Sequence, residues 1–135
     1  MRDIASNIAV RAVIAPVVVS DNTAAVGTVV DGLGFNSLAY VIATGTLADA
    51  DATFIVLLEE SDASGSGFTA VADADMIGTE ALASFTFAND GVVRKLGYIG
   101  HKRYTRLTIT PSGNSGSAPV SAVAVLGGAS VRPQA

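Results

Sequence analysis

The sequence predicts an all-β protein: an antiparallel, jelly-roll-like β-sandwich of about eight or nine short strands with at most one short helical turn. Three observations lead there. Runs of β-branched and other apolar residues recur along the chain, each bounded by Gly, Pro, Asn, Asp or Ser, the punctuation of strands and turns. Half of the residues are hydrophobic and only 15% are charged, too little charge for a disordered chain. The vocabulary is rich in Val, Ala and Gly rather than in the Glu, Lys and Leu of helix bundles. With 135 residues the chain can bury one sizeable core but not two. Residues 1–135 are therefore expected to form a single sandwich domain, with an N-terminal arm over about 1–9 and a C-terminal tail over about 128–135.

In chain order, strands are expected at 8–19, 27–30, 37–44, 53–60, 68–71, 84–87, 92–96, 104–110 and 120–126. Asp31-Gly32-Leu33-Gly34-Phe35 supplies two glycines for a tight reversal. Ser64-Gly65-Ser66-Gly67 joins its flanking strands as a hairpin. Residues 73–78 read as one helical turn, with Asp73 as its cap and Gly78 as its stop. Alternation is clearest over 103–110, where Tyr104, Arg106, Thr108 and Thr110 share one face and Thr105, Leu107 and Ile109 the other. Leu107 and Ile109 are expected in the core and Arg106 outside. Pro111, which has no amide hydrogen, is expected to end that strand. Residues 112–118, mostly Ser and Gly, read as the longest loop.

The net charge of −4 is unevenly spread. Every acid except Asp3 lies between Asp21 and Asp90, whereas the bases are Arg2, Arg11, Arg94, Lys95, Lys102, Arg103, Arg106 and Arg132. Opposed charges of this kind fit head-to-tail contact between copies or with a larger partner. They equally fit neighbouring strands of one chain, with Glu59 and Glu60 opposite Arg103 or Arg106.

Catalytic equipment is thin. The one histidine, His101, stands in a hydrophilic turn beside Lys102 and Arg103, and no nucleophile elbow accompanies it. The carboxylate pairs Asp49/Asp51, Glu59/Glu60 and Asp73/Asp75 lack the frame of an EF-hand. There is no cysteine for a thiolate site, and with no Trp and 6% aromatics the platforms of a sugar cleft are missing. Gly32 and Gly34 lead into a strand, and Gly97 and Gly100 into a basic turn, so neither pair opens a helix to cradle phosphate. The cluster from Arg94 to Arg106, interleaved with Tyr98 and Tyr104, suits protein contact. A sequence pI near 4.6 opposes nucleic acid. The apolar stretch 12–19 is broken by Pro16 and is too short to span a membrane, and Met1-Arg2-Asp3 does not open like a secretion signal. No enzyme activity, cofactor or metal is expected.

Four segments carry a resemblance: Val30-Asp31-Gly32-Leu33-Gly34-Phe35-Asn36-Ser37-Leu38; Leu57-Leu58-Glu59-Glu60-Ser61-Asp62; Gly97-Tyr98-Ile99-Gly100-His101-Lys102-Arg103-Tyr104-Thr105-Arg106-Leu107; and Ala122-Val123-Ala124-Val125-Leu126-Gly127 with Pro133. Together they resemble small structural proteins encoded with the head genes of tailed bacteriophages. The Gly-Tyr-Ile-Gly-x-Lys-Arg-Tyr block is the most specific part. The resemblance implies a virion component, a capsid decoration or cement protein, assembled in the bacterial cytoplasm and carried on the capsid surface. The implied partners are the major capsid protein and further copies of the chain, a homotrimer being one such assembly. Arms at 2–10 or 132–135 would reach over a neighbour, with Arg2, Arg11, Lys102, Arg103, Tyr104, Arg106 and Arg132 as the interface residues. Another virion part (tail tube, connector or head fibre) and a carbohydrate-binding module for host attachment are the alternatives. The second draws on a weaker likeness of 59–71 and 103–109 to jelly-roll binding domains.

Overall fold

The computed structural model describes residues 2–131. Its strands are β1 (Ile8–Val19), β2 (Ala25–Val26), β3 (Val30–Asp31), β4 (Ser37–Thr44), β5 (Thr53–Ser61), β6 (Thr69–Ala70), β7 (Met76–Ile77), β8 (Phe85–Thr86), β9 (Val93–Tyr98), β10 (Tyr104–Ser112) and β11 (Ala118–Gly127). One helical turn, α1 (Glu80–Ala83), and two 3-10 turns at Ala5–Asn7 and Asp73–Asp75 complete it. Sheet A runs β1-β11-β4-β9-β7; sheet B runs β2-β10-β5-β6, with β3 also on β10 and β8 also on β5. Every pairing is antiparallel. The pairs are nested: β1 with β11, β2 and β3 with β10, β4 with β9, β5 with β6. That is a hairpin rolled on itself, the jelly-roll form of the sandwich.

The expected strands are present, with two changes. Most of the expected strand 27–30 is instead the break between β2 and β3, both on β10 of sheet B, where the chain swings out to bond β1 of sheet A; only Val30 belongs to a strand. Gly27 donates to the Leu107 carbonyl in sheet B at 2.7 Å, and Thr28 to the Val13 carbonyl in sheet A at 2.9 Å. A Cβ at Gly27 would strike the Leu107 carbonyl, so the close crossing requires glycine. Pro111 does not end β10; it is buried and pairs with Phe54, and the strand continues to Ser112. Proline is tolerated because the partner on its other side, β2, reaches only as far as Ile109, leaving no ladder bond for the missing amide to make.

Two turn assignments are corrected. The helical turn expected over 73–78 ends at Asp75 and gives way to β7, so Gly78 does not stop it, and Asp73 opens it without capping it; the side-chain cap belongs to α1, where Thr79 accepts from the Leu82 amide at 3.1 Å. The loop before β11 spans only 113–117, shorter than 45–52. It is pinned where Asn114, buried, donates to the carbonyls of Val19 and Asp21, and where Asp49 accepts from the amide and hydroxyl of Ser115.

Alternation decides what each sheet hides. Tyr40, Ile42, Leu96, Ala122, Ala124 and Leu126 of sheet A meet Phe54, Val56, Leu58, Leu107 and Ile109 of sheet B in one core, each large side chain contributing about 1.5–3 kcal/mol by leaving water. Phe54 and Phe85 stack at 4.9 Å. Within this core the Tyr40 hydroxyl and Thr105 Oγ1 share a hydrogen bond of 2.5 Å between the sheets, and burial pushes the Tyr40 phenol up to about 12.

The outer faces differ. Sheet B shows water the Arg106–Glu59 pair together with Thr110, Ser112 and Thr53, and between them the exposed Ile55 and Val26. Sheet A turns outward a row that crosses all five strands in register, Val10–Val125–Ala39–Gly97–Ile77. Beside it lie the rows Ala12–Val123–Val41–Lys95 and Ser121–Ala43–Val93.

Tyr40→Phe leaves Thr105 without its partner and should cost about 1–2 kcal/mol in urea unfolding, whereas Tyr40→Phe with Thr105→Val should cost less than the two single changes added. Strict additivity would show that the two hydroxyls do not interact.

Candidate interaction surface

The reversal over 31–35 and the turn over 99–103 stand side by side at one end of the sandwich. The Gly32 amide donates to the Arg103 carbonyl at 2.8 Å, and Gly34, at φ +89°, supplies the left-handed residue of the reversal. Asp31 holds this turn twice over: its Oδ1 accepts from the Leu33 amide at 3.0 Å, and both oxygens accept from the Arg103 guanidinium at 2.8 Å. The segment after β11 closes the same end, with the Ser130 amide on the Gly34 carbonyl at 2.8 Å.

The second turn hangs on Tyr98. Its hydroxyl donates to Glu60 Oε2 at 2.5 Å and accepts from the Lys102 amide at 2.9 Å, tying sheet A to sheet B. Burial, and then the Glu60 carboxylate, raise its pKa, so the phenol stays protonated and donating. A Cβ at Gly100 would fall 2.5 Å from that hydroxyl; the turn needs glycine for clearance. Lys102 reaches Asp62 at 2.5 Å, and Arg106 meets Glu59 at 2.9 Å while lying 4.3 Å over the Phe68 ring.

Between the turns lies a cleft of about 400 Å³, walled by 32–38 and 98–103 and floored by Thr105 and Leu126. Leu33 and Ile99, 65% and 59% exposed, stand on the tips of its two walls. The apolar tips are bordered by the Arg103–Asp31 and Lys102–Asp62 pairs, the anatomy of a protein contact with an apolar centre and a polar rim. The four segments that carry the resemblance meet here in their described parts: 30–38 and 97–107 supply the walls, 57–62 the partners of Tyr98, Lys102 and Arg106, and 122–127 part of the floor through Leu126, while Pro133 lies outside the described residues.

The solved structures similar to this chain include the crystal structure of PBSX exported protein XepA. The TM-score is 0.56 at 16% identity, over 94% of this chain and 39% of that chain. The likeness is one of fold. This chain thus spans well under half of XepA's length. No protein-family model matches the sequence, and no curated protein is found similar to it.

Of the interface residues expected from sequence, Lys102 and Arg103 line the cleft, while Tyr104 and Arg106 follow on β10 with Tyr104 4.9 Å beneath the Arg103 guanidinium. Arg2 is exposed ahead of the first 3-10 turn, and Arg11 is exposed on β1; neither lines the cleft. Arg132 lies outside the described residues. Arg103 faces Asp31 rather than either glutamate, whereas Arg106 does sit opposite Glu59 in register. His101 is exposed at the cleft wall. Asp31, Asp62, Leu33 and Ile99 were not singled out by residue chemistry, although all four lie within the segments of the resemblance. Among the described residues no group of three or more His, Cys, Asp or Glu side chains is placed to hold a metal ion, and no helix is long and apolar enough to cross a membrane.

Two outcomes check this geometry. The Arg103 hydrogen bonds lower the Asp31 carboxyl to about 2, below an unfolded value of about 3.9. The pair's stabilisation is therefore full above about pH 4 and fades as pH falls through the folded value. With both side chains about half exposed, it amounts to at most about 1 kcal/mol. An NMR titration should place the Asp31 midpoint near 2 and Arg103→Gln should move it upward; no movement would mean that the fork is not formed. Gly100→Val should displace the Tyr98 hydroxyl and destabilise the chain by about 1–3 kcal/mol, read in urea unfolding, whereas an unchanged midpoint would show that the turn has room.

Proposed function

We propose that this chain is a structural protein of a tailed-phage virion, a capsid decoration or cement protein that bridges neighbouring major capsid subunits and catalyses no reaction. The observation that carries the reading is the convergence of all four resembling segments on one end of the sandwich. Segments separated by tens of residues meet in a single surface that two ion pairs and the Tyr98–Glu60 bond hold in shape. A surface held in shape before contact loses little entropy on docking, as a lattice contact made many times over requires. XepA, one of the structural neighbours, is named a PBSX exported protein, and its likeness to this chain is one of fold. In this reading Leu33 and Ile99 dock on the shell, and the ion pairs around them fix the orientation.

Particles assembled without the protein should lose their genomes at lower temperature and under milder osmotic shock than complete ones. Adding back the purified chain should restore resistance, and Leu33→Asp with Ile99→Asp should bind shells at least about tenfold more weakly while unfolding normally. Equal resistance with and without the protein would sink the cementing role. Label found at the tail or portal would favour the other virion parts.

A further inference from the structure

The outer face of sheet A has no part in the cleft or its ion pairs. None of the five strands of sheet A contains an acid, and the charges within them are Arg11, Arg94 and Lys95. Arg94, opposite Ile42, and Arg11, opposite the buried Ala124, lie on the inner rows; Arg94 donates to the Leu82 carbonyl, and Arg11, exposed on the edge strand β1, to the Val10 carbonyl, which leaves Lys95 as the charge on the outward rows. Val10, Ile77 and Val93 on those rows are 59%, 62% and 66% exposed, so nothing in the described chain covers them. A two-sheet sandwich ordinarily turns polar residues outward; the outer face of sheet B mixes Ile55 and Val26 with Thr53, Thr110, Ser112 and the Arg106–Glu59 pair, whereas that of sheet A is apolar apart from Ser121 and Lys95.

We infer that this face is a homotypic interface, on which two copies of the chain stack sheet against sheet. Size is the first argument. Five strands at about 4.8 Å spacing are about 20 Å wide, and the eight residues of β4 at about 3.4 Å each give about 27 Å of length. The planar footprint is thus roughly 500 Å² per copy, and pairing removes about 1,000 Å² or more in total, the size at which specific association begins. Charge is the second. With every acid kept off this sheet, the negative charge of the chain does not oppose the contact, and a face with one cation presents no pattern addressed to a different partner. Shape is the third. Val, Ala and Gly make a low, regular surface that matches its own copy, as the isologous contact of a two-fold dimer demands, and two such sheets pack about 10 Å apart.

The surface is separate from the shell-docking end, and the two readings fail separately. Sedimentation of the isolated full chain at about 100 µM should give twice the mass of 13.5 kDa. Val123→Lys and Val41→Glu, each outward-facing, should return it to the single-chain mass with an unchanged circular dichroism spectrum. Ile55→Lys, on the outer face of sheet B, should leave the dimer intact. A wild-type chain that stays monomeric overturns the inference whether or not it binds shells, and Val123→Lys then abolishing shell binding would assign the face to the capsid instead. A dimer untouched by Val123→Lys and Val41→Glu would place the self-contact elsewhere and likewise overturn it.

Discussion

The pairing of β10 with β5 is the constraint from which the functional end of the molecule follows. Their register runs unbroken from Tyr104 opposite Ser61 to Ser112 opposite Thr53. It sends Leu107 and Ile109 inward and sets Arg106 over Glu59. It also places Thr105 inward, where its hydroxyl finds Tyr40 across the core. A slip of one residue would exchange the two faces, burying Arg106 and separating the partners that hold the turn at 99–103. The core alone supplies most of the stability, but this register supplies the shape of one end.

Much of the fold was legible because sandwich strands announce themselves through period and punctuation. The alternation over 103–110 assigned both faces of β10 correctly, and the glycines of 31–35 and 64–67 marked real reversals. Pro111 misled because the rule that proline ends a strand assumes a neighbour on both sides, and β2 stops short. The ion pairs were half legible. Arg106 with Glu59 follows from adjacent strands, whereas Asp31 and Arg103 stand 72 residues apart, and only the nested topology brings them together.

The apolar outer face of sheet A was not legible, for a physical reason. β1 and β11 read as nearly continuous apolar runs, the pattern of strands buried on both sides. A sequence reports that a face is hydrophobic, not whether anything lies on it. Only the topology shows that one side of these strands has no covering layer. The molecule therefore presents two unlike surfaces: a sculpted, ion-paired end and a largely apolar sheet that carries no acid. A protein that joins subunits in a lattice needs more than one place of contact, because weak contacts gain strength by acting together.

An image reconstruction of the intact phage particle, detailed enough to trace this chain, tests the account most directly. The account predicts copies arrayed over the capsid with the turns at 31–35 and 99–103 seated on the shell. Density for the chain confined to the tail, or no density for it anywhere in the particle, would contradict it.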